Sequence, residues 1–578
     1  MKLKNNKIKK IKKENIDLDK ILVETINENK IMYLSAFILI ISLTIEIVVF
    51  PSMYSNFVAN FPDKIIDINY SDILWLLLPY ISAELLFSLA DTIDSYTLPK
   101  IEDDVIIKLI TKTFNSSKNT KKEINNNDLI LNLRKISDIK DIYYLVCAYT
   151  LPAIAVSCGL GYYFIKADKA HGIVMCVILA ISFYVLFIMG KSCSSNTNDN
   201  EENNIEFYDD MNDIISNISN VLSSGTDKDE INRIKNNQKK YYKSNVGKNL
   251  CNTNLKFSFS LIYFFIMLIF NGVAIKLYHE NKINKSVLVT IFFMVSALIS
   301  IYDSMAYEVG NLTNSLGVYK TIKKYFKNYI NKTNDTNNTK LQFPFIEGKI
   351  DFKNIIVKYN DKKIFDNFNL TIHPNYVTGI IGKIGSGKST LLKVLAGLID
   401  YEGIITIDDT NILEYENTEI SKFLGYIPQN PKLFNRTIFE NLNYGSNYDE
   451  KYIWDKIKLF DLYDLFNSFE NKLQTIVGKN GEKISGGQRQ IIYILRTIIQ
   501  NKKILLFDEP TSALDISYKT KFINLLSKIK NQTNSTIIIV THDNDVMAVC
   551  DKILLFSQIN TNNTSNTNDT SNTNDTNN

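Results

Sequence analysis

Six long apolar stretches in the first 310 residues constrain the fold of this chain more than any other feature. A helix needs about 20 mostly apolar residues to cross about 30 Å of hydrocarbon while satisfying its own backbone hydrogen bonds. The stretches that meet this requirement are roughly 31–50, 72–91, 143–165, 172–190, 257–278 and 286–307. Ile173–Met189 contains no charged residue, so it lacks the polar face of a helix in a soluble core. The sequence predicts a membrane bundle of six helices.

The distribution of lysines predicts the orientation of this bundle. The N-terminal arm and the loops 92–140 and 191–254 are rich in lysine, whereas the connectors 166–171 and 279–285 are short. Because Lys and Arg concentrate in cytoplasmic loops, we expect a multi-pass membrane protein with both termini in the cytoplasm. Apolar residues at helical spacing within the long loops predict that the flanking spans continue beyond the bilayer as amphipathic helices.

Three acidic residues lie inside the predicted spans: Glu46, Glu84 and Asp303. Charges within a bilayer are costly and usually face a cavity or a partner. They are candidates to line a pathway for a cationic or polar substrate. The alternative is that each pairs with a neighbouring helix or lies near the membrane interface.

Composition argues against several other kinds of site. The 578 residues carry a formal net charge of +4, which does not favour a nucleic-acid partner. The six cysteines include no CxxC pair, and we interpret them as small core residues rather than disulfide partners or metal ligands. Four scattered histidines do not favour a His-based metal site.

Changes in composition along the chain divide it into five predicted segments. These are a basic arm (1–30), a membrane domain (31–323), a linker (324–347), a nucleotide-binding domain (348–558) and an Asn/Thr-rich tail (559–578). Asn331–Lys340 contains no apolar residue, and the tail repeats polar units that cannot bury a core. We therefore expect a flexible junction and a disordered tail.

A glycine-rich loop that begins at Gly382 lies within the predicted nucleotide-binding domain. An apolar strand at 377–381 leads into this loop and then into a helix, the context that a phosphate-binding loop requires. Backbone N–H groups in such a turn cradle phosphate oxygens, while Lys388 reaches the β and γ phosphates and Ser389 offers its hydroxyl to Mg²⁺. The predicted phosphate-binding residues are Gly382, Lys383, Ile384, Gly385, Ser386, Gly387, Lys388, Ser389 and Thr390.

A second apolar strand, Ile504–Asp508, ends in two acids, Asp508 and Glu509. A carboxylate at the end of a buried strand beside the phosphate loop can hold Mg²⁺, and its neighbour can deprotonate the attacking water. We assign the first role to Asp508 and the second to Glu509.

The segment Ile484–Gln490 reads ISGGQRQ and resembles the signature of the ABC ATPase family, LSGGQ, with Ile484 in place of leucine. In that family the loop covers the γ-phosphate of a nucleotide held by the opposite subunit. The resemblance therefore implies a head-to-tail pair of chains in which Ser485, Gly486, Gly487 and Gln488 complete the partner's ATP site.

Other segments are similar to the same family in the expected order. The resemblance implies that Tyr359 stacks on adenine, that Gln429 links Mg²⁺ and the attacking water to the membrane domain, that Asp515 crosses between subunits and that His542 contacts the γ-phosphate. Lys479 departs from the family pattern, which normally has an acid there; this puts the local contact with the intracellular loops in doubt.

Six spans followed by one ATPase domain is the arrangement of an ABC half-exporter. The resemblance implies a membrane α-helical bundle joined to an α/β P-loop NTPase domain with a β-rich and a helical signature subdomain. It further implies ATP- and Mg²⁺-dependent export of a small molecule, lipid or peptide through a lipid bilayer by two identical or related half-transporters. A nucleotide-gated channel or regulatory subunit, a soluble ABC protein and an importer are the alternatives.

Overall fold

The computed structural model describes residues 12–59, 70–121, 126–139, 142, 150–333, 342–359, 362–512 and 514–556. The chain divides into two compact units. The membrane unit comprises residues 1–119 and 123–334, and the ATPase unit comprises residues 120–122 and 335–578.

The membrane unit is almost entirely helical. Its helices are α1 (Leu18–Glu28), α2 (Ile31–Thr44), α3 (Phe50–Ala59), α4 (Tyr70–Thr120), α5 (Asn126–Arg134), α6 (Leu151–Ala167), α7 (Lys169–Ser216), α8 (Ile218–Ser224), α9 (Asp227–His279) and α10 (Lys285–Lys327). A π-helical turn, Ile45–Val49, joins α2 to α3, and a 3₁₀ turn, Lys135–Ile139, follows α5. The short strands β1 (Lys12–Asn15) and β2 (Ile330–Thr333) pair antiparallel.

Three helical segments among the described residues are long and apolar enough to cross a membrane. They are Ile73–Ser117, Lys169–Ser216 and Asp227–His279, and the bent pair α1 and α2 would be a fourth. Ala153–Ala167 and Lys285–Leu298 are apolar but shorter. Residues 143–149 of the third predicted span lie outside the described residues, so the count of six stays a prediction.

The expectation that spans continue past their apolar parts as helices is confirmed. Helix α7 has 48 residues and α9 has 53. At 1.5 Å per residue these helices are about 70–80 Å long, more than twice the hydrocarbon thickness of about 30 Å.

The interpretation of all six cysteines as unpaired core residues is wrong for three of the five that the structure describes, since two form a disulfide and Cys158 is exposed. Cys193 on α7 and Cys251 on α9 form a disulfide with a Cα–Cα distance of 5.6 Å. Cys193 is buried in the core between these helices. The two residues are 58 positions apart, so no local sequence pattern predicted the disulfide. The packing of α7 against α9 brings the two cysteines together.

The ATPase unit contains two sheets and a set of shorter helices. Its strands are β3 (Ile350–Tyr359), β4 (Lys362–Ile372), β5 (Val377–Ile381), β6 (Glu402–Ile407), β7 (Thr410–Asn411), β8 (Leu424–Ile427), β9 (Ile504–Asp508), β10 (Thr536–Val540) and β11 (Lys552–Leu555). Its helices are α11 (Lys388–Leu395), α12 (Asn417–Ile420), α13 (Ile438–Leu442), α14 (Glu450–Leu459), α15 (Tyr463–Asn467), α16 (Gly486–Ile499), α17 (Ile516–Thr533) and α18 (Asn544–Met547).

The larger sheet determines where the candidate site lies. It has the strand order β11-β5-β10-β9-β8 and all its pairings are parallel, while the smaller sheet, β4-β3-β6-β7, is antiparallel. Every residue of β9 and β10 is buried, as expected for parallel strands covered on both faces. The carboxyl ends of β5, β8, β9 and β10 therefore lie at one edge, where ligands bind in open α/β sheets.

Part of the predicted linker has regular structure. Residues 324–327 complete α10, and Ile330–Thr333 forms β2. Polarity alone suggested a junction here, but pairing with β1 supplies the backbone hydrogen bonds that an isolated polar segment lacks. Residues 334–341 and 557–578 lie outside the described residues.

Candidate active site

Residues 382–387 form a tight loop between β5 and α11. Gly385 and Gly387 have φ angles of +77° and +102°, which residues other than glycine rarely adopt. A Cβ atom on Gly387 would also lie 2.8 Å from Cε1 of Phe365. Gly387 is therefore required both by the turn and by the close packing of the loop against β4.

Lys388, the first residue of α11, turns its side chain back into this loop. It is 5% exposed, and its Nζ donates hydrogen bonds to the carbonyl oxygens of Gly382 at 2.7 Å and Lys383 at 2.9 Å. Burial lowers the pKa of Lys388, while the carboxylates of Glu509 and Asp508 act in the opposite direction. The ammonium group is thus held inside the loop that would receive phosphate.

The hydroxyl of Ser386 is a separate sign that this loop binds a ligand. Its Oγ is buried and has no hydrogen-bond partner in the described part of the chain. Leaving such a group unpaired costs about 1–3 kcal/mol. A phosphate oxygen in the loop would accept this hydrogen bond, so the residues present fit a nucleotide phosphate. Thr390 follows within α11, and Ile384 is 94% exposed.

Ser389 and Asp508 meet where α11 approaches the end of β9. The Ser389 hydroxyl donates to Oδ1 of Asp508 at 2.7 Å, which leaves the hydroxyl lone pairs free for a metal ion. Asp508 is 5% exposed, and a hydroxyl beside a carboxylate is an oxygen donor set that suits Mg²⁺. Ser389 and Asp508 would therefore hold Mg²⁺ next to the phosphate loop, as their sequence positions predicted.

Two side chains from neighbouring loops lie next to the carboxylate of Glu509, the residue after Asp508. The Gln429 side chain, which follows β8, donates from Nε2 to Oε2 of Glu509 at 2.8 Å. The His542 side chain, which follows β10, places Nε2 3.7 Å from Oε1 of Glu509. Both the Glu509 and His542 side chains are partly exposed, so water has access to this carboxylate. A carboxylate in this position can accept a proton from water.

The backbone of Glu509 is in a left-handed conformation with φ of +47°. Such a conformation costs a non-glycine residue about 1–2 kcal/mol. The Glu509 N–H donates to the Val540 carbonyl oxygen at 2.9 Å, which ties the strained residue to β10. The strained backbone conformation thus occurs at the residue whose carboxylate lies beside the phosphate loop.

The signature segment folds as the start of a helix. Ser485 caps α16: its Oγ accepts from the Gln488 N–H at 3.1 Å, and Oε1 of Gln488 accepts from the Ser485 N–H at 2.9 Å. A Cβ atom on Gly487 would lie 2.6 Å from the ring of Tyr518. Within the described part of the chain, Ser485 and Gln488 make these side-chain hydrogen bonds with each other and not with the Glu509 cluster.

The structure does not test the roles predicted for Tyr359, Asp515 and Lys479. Tyr359 ends β3, and its side chain lies outside the described ones. Asp515 caps α17 by accepting from the Tyr518 N–H at 2.9 Å. Lys479 begins a 3₁₀ turn. None of these observations assigns a contact with a partner.

The three acidic residues of the predicted pathway are only partly described. Glu46 lies within the π-helical turn and Glu84 on α4, and the two carboxylates are close enough to interact electrostatically. The side chain of Asp303, on α10, lies outside the described ones. No group of three potential metal ligands occurs among the residues described, and the pathway stays a prediction.

Two hydrogen bonds in the site were not predicted from the sequence. The Tyr426 hydroxyl donates to Oδ2 of Asp508 at 3.1 Å, and the Ser512 hydroxyl donates to the Glu509 carbonyl oxygen at 3.1 Å. Tyr426 stands three positions before Gln429 at the end of a strand. From the sequence, this position indicates that Tyr426 lies near the site. It does not indicate a hydrogen bond to Asp508.

Family models agree with this architecture. The ABC transporter model matches residues 365–512, and the ABC transporter transmembrane region model matches residues 33–301. This chain belongs to the ABC transporter family. It joins one transmembrane region to one ABC ATPase domain, which is the half-transporter arrangement.

Curated relatives and a solved structure add detail to this assignment. The chain is 34% identical over 238 residues to the mitochondrial iron–sulfur clusters transporter of Debaryomyces hansenii, covering 40% of this chain and 34% of that protein. It is 35% identical over 235 residues to an α-hemolysin translocation ATP-binding protein of Escherichia coli, covering 40% and 33%. The matched region thus spans about a third of these relatives. An ATP-bound bacterial Atm1-family ABC exporter has the same fold, with a TM-score of 0.74, 20% identity and 93% coverage of both chains.

Proposed function

We propose that this ABC transporter chain is an ATP-driven exporter that works as a dimer of half-transporters. The observation that carries the proposal is the cluster of Glu509, Gln429 and His542 beside the phosphate loop. The relatives named for transport of iron–sulfur clusters and for translocation of α-hemolysin support it, as does the fold of the ATP-bound exporter.

The geometry suggests a role for each residue in ATP hydrolysis. Glu509 accepts a proton from the attacking water, and Gln429, bonded to the same carboxylate, holds that water in place. His542 lies on the other side of Glu509 and contacts the γ-phosphate. Lys388 stabilises the phosphate oxygens from inside the loop. Mg²⁺, held by Ser389, Asp508 and Gln429, would neutralise charge on the phosphates.

The signature loop supports the proposed dimer. Among the described residues Ser485 bonds to its own helix and not to the Glu509 cluster, and in the ABC family this loop covers the nucleotide of the opposite subunit. Ile384 in the phosphate loop and Ile516 beside Asp515 are 94% and 83% exposed, and a partner chain would cover both. ATP bound between two chains favours the closed pair, and this difference in affinity can drive alternating access of the membrane helices.

A nucleotide-gated channel or regulatory subunit is the alternative. It predicts that catalytic residues are missing, whereas Glu509, His542 and Ser485 are all present. The proposal also places both termini in the cytoplasm. It includes a substrate pathway lined by Glu46, Glu84 and Asp303, without defining the substrate or the kind of membrane.

The substitution Glu509→Gln tests the proposal. Removing the general base should lower ATP turnover at least about a hundredfold without weakening ATP binding. Phosphate release and binding of a fluorescent ATP analogue, measured on the full-length protein in liposomes, give the two quantities. Glu470→Gln, an exposed acid outside the site, is the matched control. Turnover by Glu509→Gln within twofold of the unsubstituted protein would refute the assignment.

A further inference from the structure

Both carboxylate oxygens of Asp508 accept hydrogen bonds from hydroxyl groups. Ser389 donates to Oδ1 at 2.7 Å and Tyr426 donates to Oδ2 at 3.1 Å. The first of these donors lies on α11, directly after the phosphate loop. The second comes from β8, the strand on the other side of β9.

Strand register explains why a tyrosine is needed at this position. Strands β8 and β9 are parallel, and Tyr426 lies level with Leu506, two residues before Asp508. Two residues of a strand span about 6.6 Å. A tyrosine side chain can bridge this distance along the strand, whereas a serine or threonine cannot.

The Tyr426 hydroxyl is the donor in this bond, because an ionised carboxylate has no proton to donate. The ring also packs against the core of the ATPase unit, which is a structural role that phenylalanine would fill equally well; only the hydroxyl reaches Asp508.

We propose that Tyr426 is a positioning residue for the Mg²⁺ site: its hydroxyl fixes the carboxylate plane of Asp508 so that Oδ1 and the Ser389 hydroxyl face the phosphate loop together. This inference rests on the proposed function, since it assigns Mg²⁺ to Asp508. Without the bond to Oδ2, the carboxylate can rotate, and Ser389 loses a fixed acceptor.

The substitution Tyr426→Phe removes the hydroxyl and keeps the ring. A hydrogen bond to a buried charged group is strong enough that its loss should weaken Mg²⁺-dependent nucleotide binding about tenfold. Binding of a fluorescent ATP analogue to the full-length protein is measured with Mg²⁺ and with EDTA, and Mn²⁺ affinity is measured by electron paramagnetic resonance. We expect a loss with either metal and no change in EDTA.

Tyr401→Phe is the matched control. The Tyr401 hydroxyl is also buried but has no hydrogen-bond partner among the described residues, so its removal should leave both affinities unchanged. In an Asp508→Asn background, Tyr426→Phe should add no further loss of metal dependence.

Three results would overturn the inference. These are equal loss with Mg²⁺ and with EDTA, unchanged affinity under both conditions, or an additive loss in the Asp508→Asn background. If the unsubstituted protein failed to bind nucleotide at all, the proposed function would fall first.

Discussion

The membrane unit and the ATPase unit use similar apolar side chains in opposite ways. In the ATPase unit all ten residues of β9 and β10 are buried. In α7 of the membrane unit, Ile173, Val174 and Val177 are each at least half exposed. The first arrangement is a core shielded from water by its own sheet and helices. The second leaves apolar surface on the outside of the unit.

This difference identifies the solvent of each unit. Exposed apolar surface as extensive as that of α7 is unfavourable in water, whereas in hydrocarbon it has no such cost. What a membrane helix cannot leave unsatisfied is its backbone, and the long α-helices satisfy that requirement internally. Burial of side chains stabilises the ATPase unit, and the surrounding lipid accommodates those of the membrane unit.

Replacing a phenylalanine by alanine should have its largest effect in the ATPase unit. Phe522 on α17 is completely buried and contacts the Phe507 ring edge-on at 5.7 Å. Phe522→Ala should lower the free energy of unfolding by about 3–5 kcal/mol, because it removes buried surface and leaves a cavity. Denaturant-induced loss of nucleotide binding by the full-length protein measures this change.

The matched substitution lies in the membrane unit. Phe265 on α9 is 57% exposed, so Phe265→Ala exchanges one lipid contact for another. Its effect on unfolding in detergent or lipid should be much smaller than that of Phe522→Ala. Equal effects at the two positions would show that Phe265 is packed against protein and would contradict the comparison.

The structure of the ATPase unit could be predicted from its sequence in more detail than that of the membrane unit. Strand, glycine loop and helix are consecutive at 377–395, so the sequence predicted the order of these elements but not the contacts within the site. The helices of the membrane unit were predicted from apolar length, but length says nothing about the π-helical turn at Glu46 or the disulfide between Cys193 and Cys251. Those features depend on how distant segments pack.

Contacts within the site show the same limit. The Ser389 and Asp508 pair could be predicted, because both belong to recognisable patterns. The bond from Tyr426 to Asp508 and the positive φ of Glu509 could not. The first depends on the register of β8 against β9, and the second on the hydrogen bond that ties Glu509 to β10.

The second-largest expected difference between the two units is their tolerance of a charged side chain at an exposed apolar position. Val177 lies within the apolar stretch 172–190 of α7, and Val177→Arg should disfavour membrane insertion by up to about 2.5–3.5 kcal/mol. The inserted fraction of the full-length protein, measured by glycosylation mapping, reports this change. Val177→Leu should insert normally.

The control for that substitution is an exposed apolar residue of the ATPase unit. Leu413 is 59% exposed, so Leu413→Arg should change the free energy of unfolding by no more than about 0.5 kcal/mol. If Val177→Arg were equally well tolerated, the exposed face of α7 would contact water rather than lipid.

The smallest expected effect on stability distinguishes a local role from a role between chains. Ser485 and Thr437 are N-caps of the same kind, each with a reciprocal bond to the side chain three residues later. Ser485→Ala and Thr437→Ala should each cost about 1 kcal/mol of stability. Because Ser485 is also proposed to contact the nucleotide of a second chain, only Ser485→Ala should strongly reduce ATP turnover. A similar loss of turnover in Thr437→Ala would mean that Ser485 acts only as a helix cap.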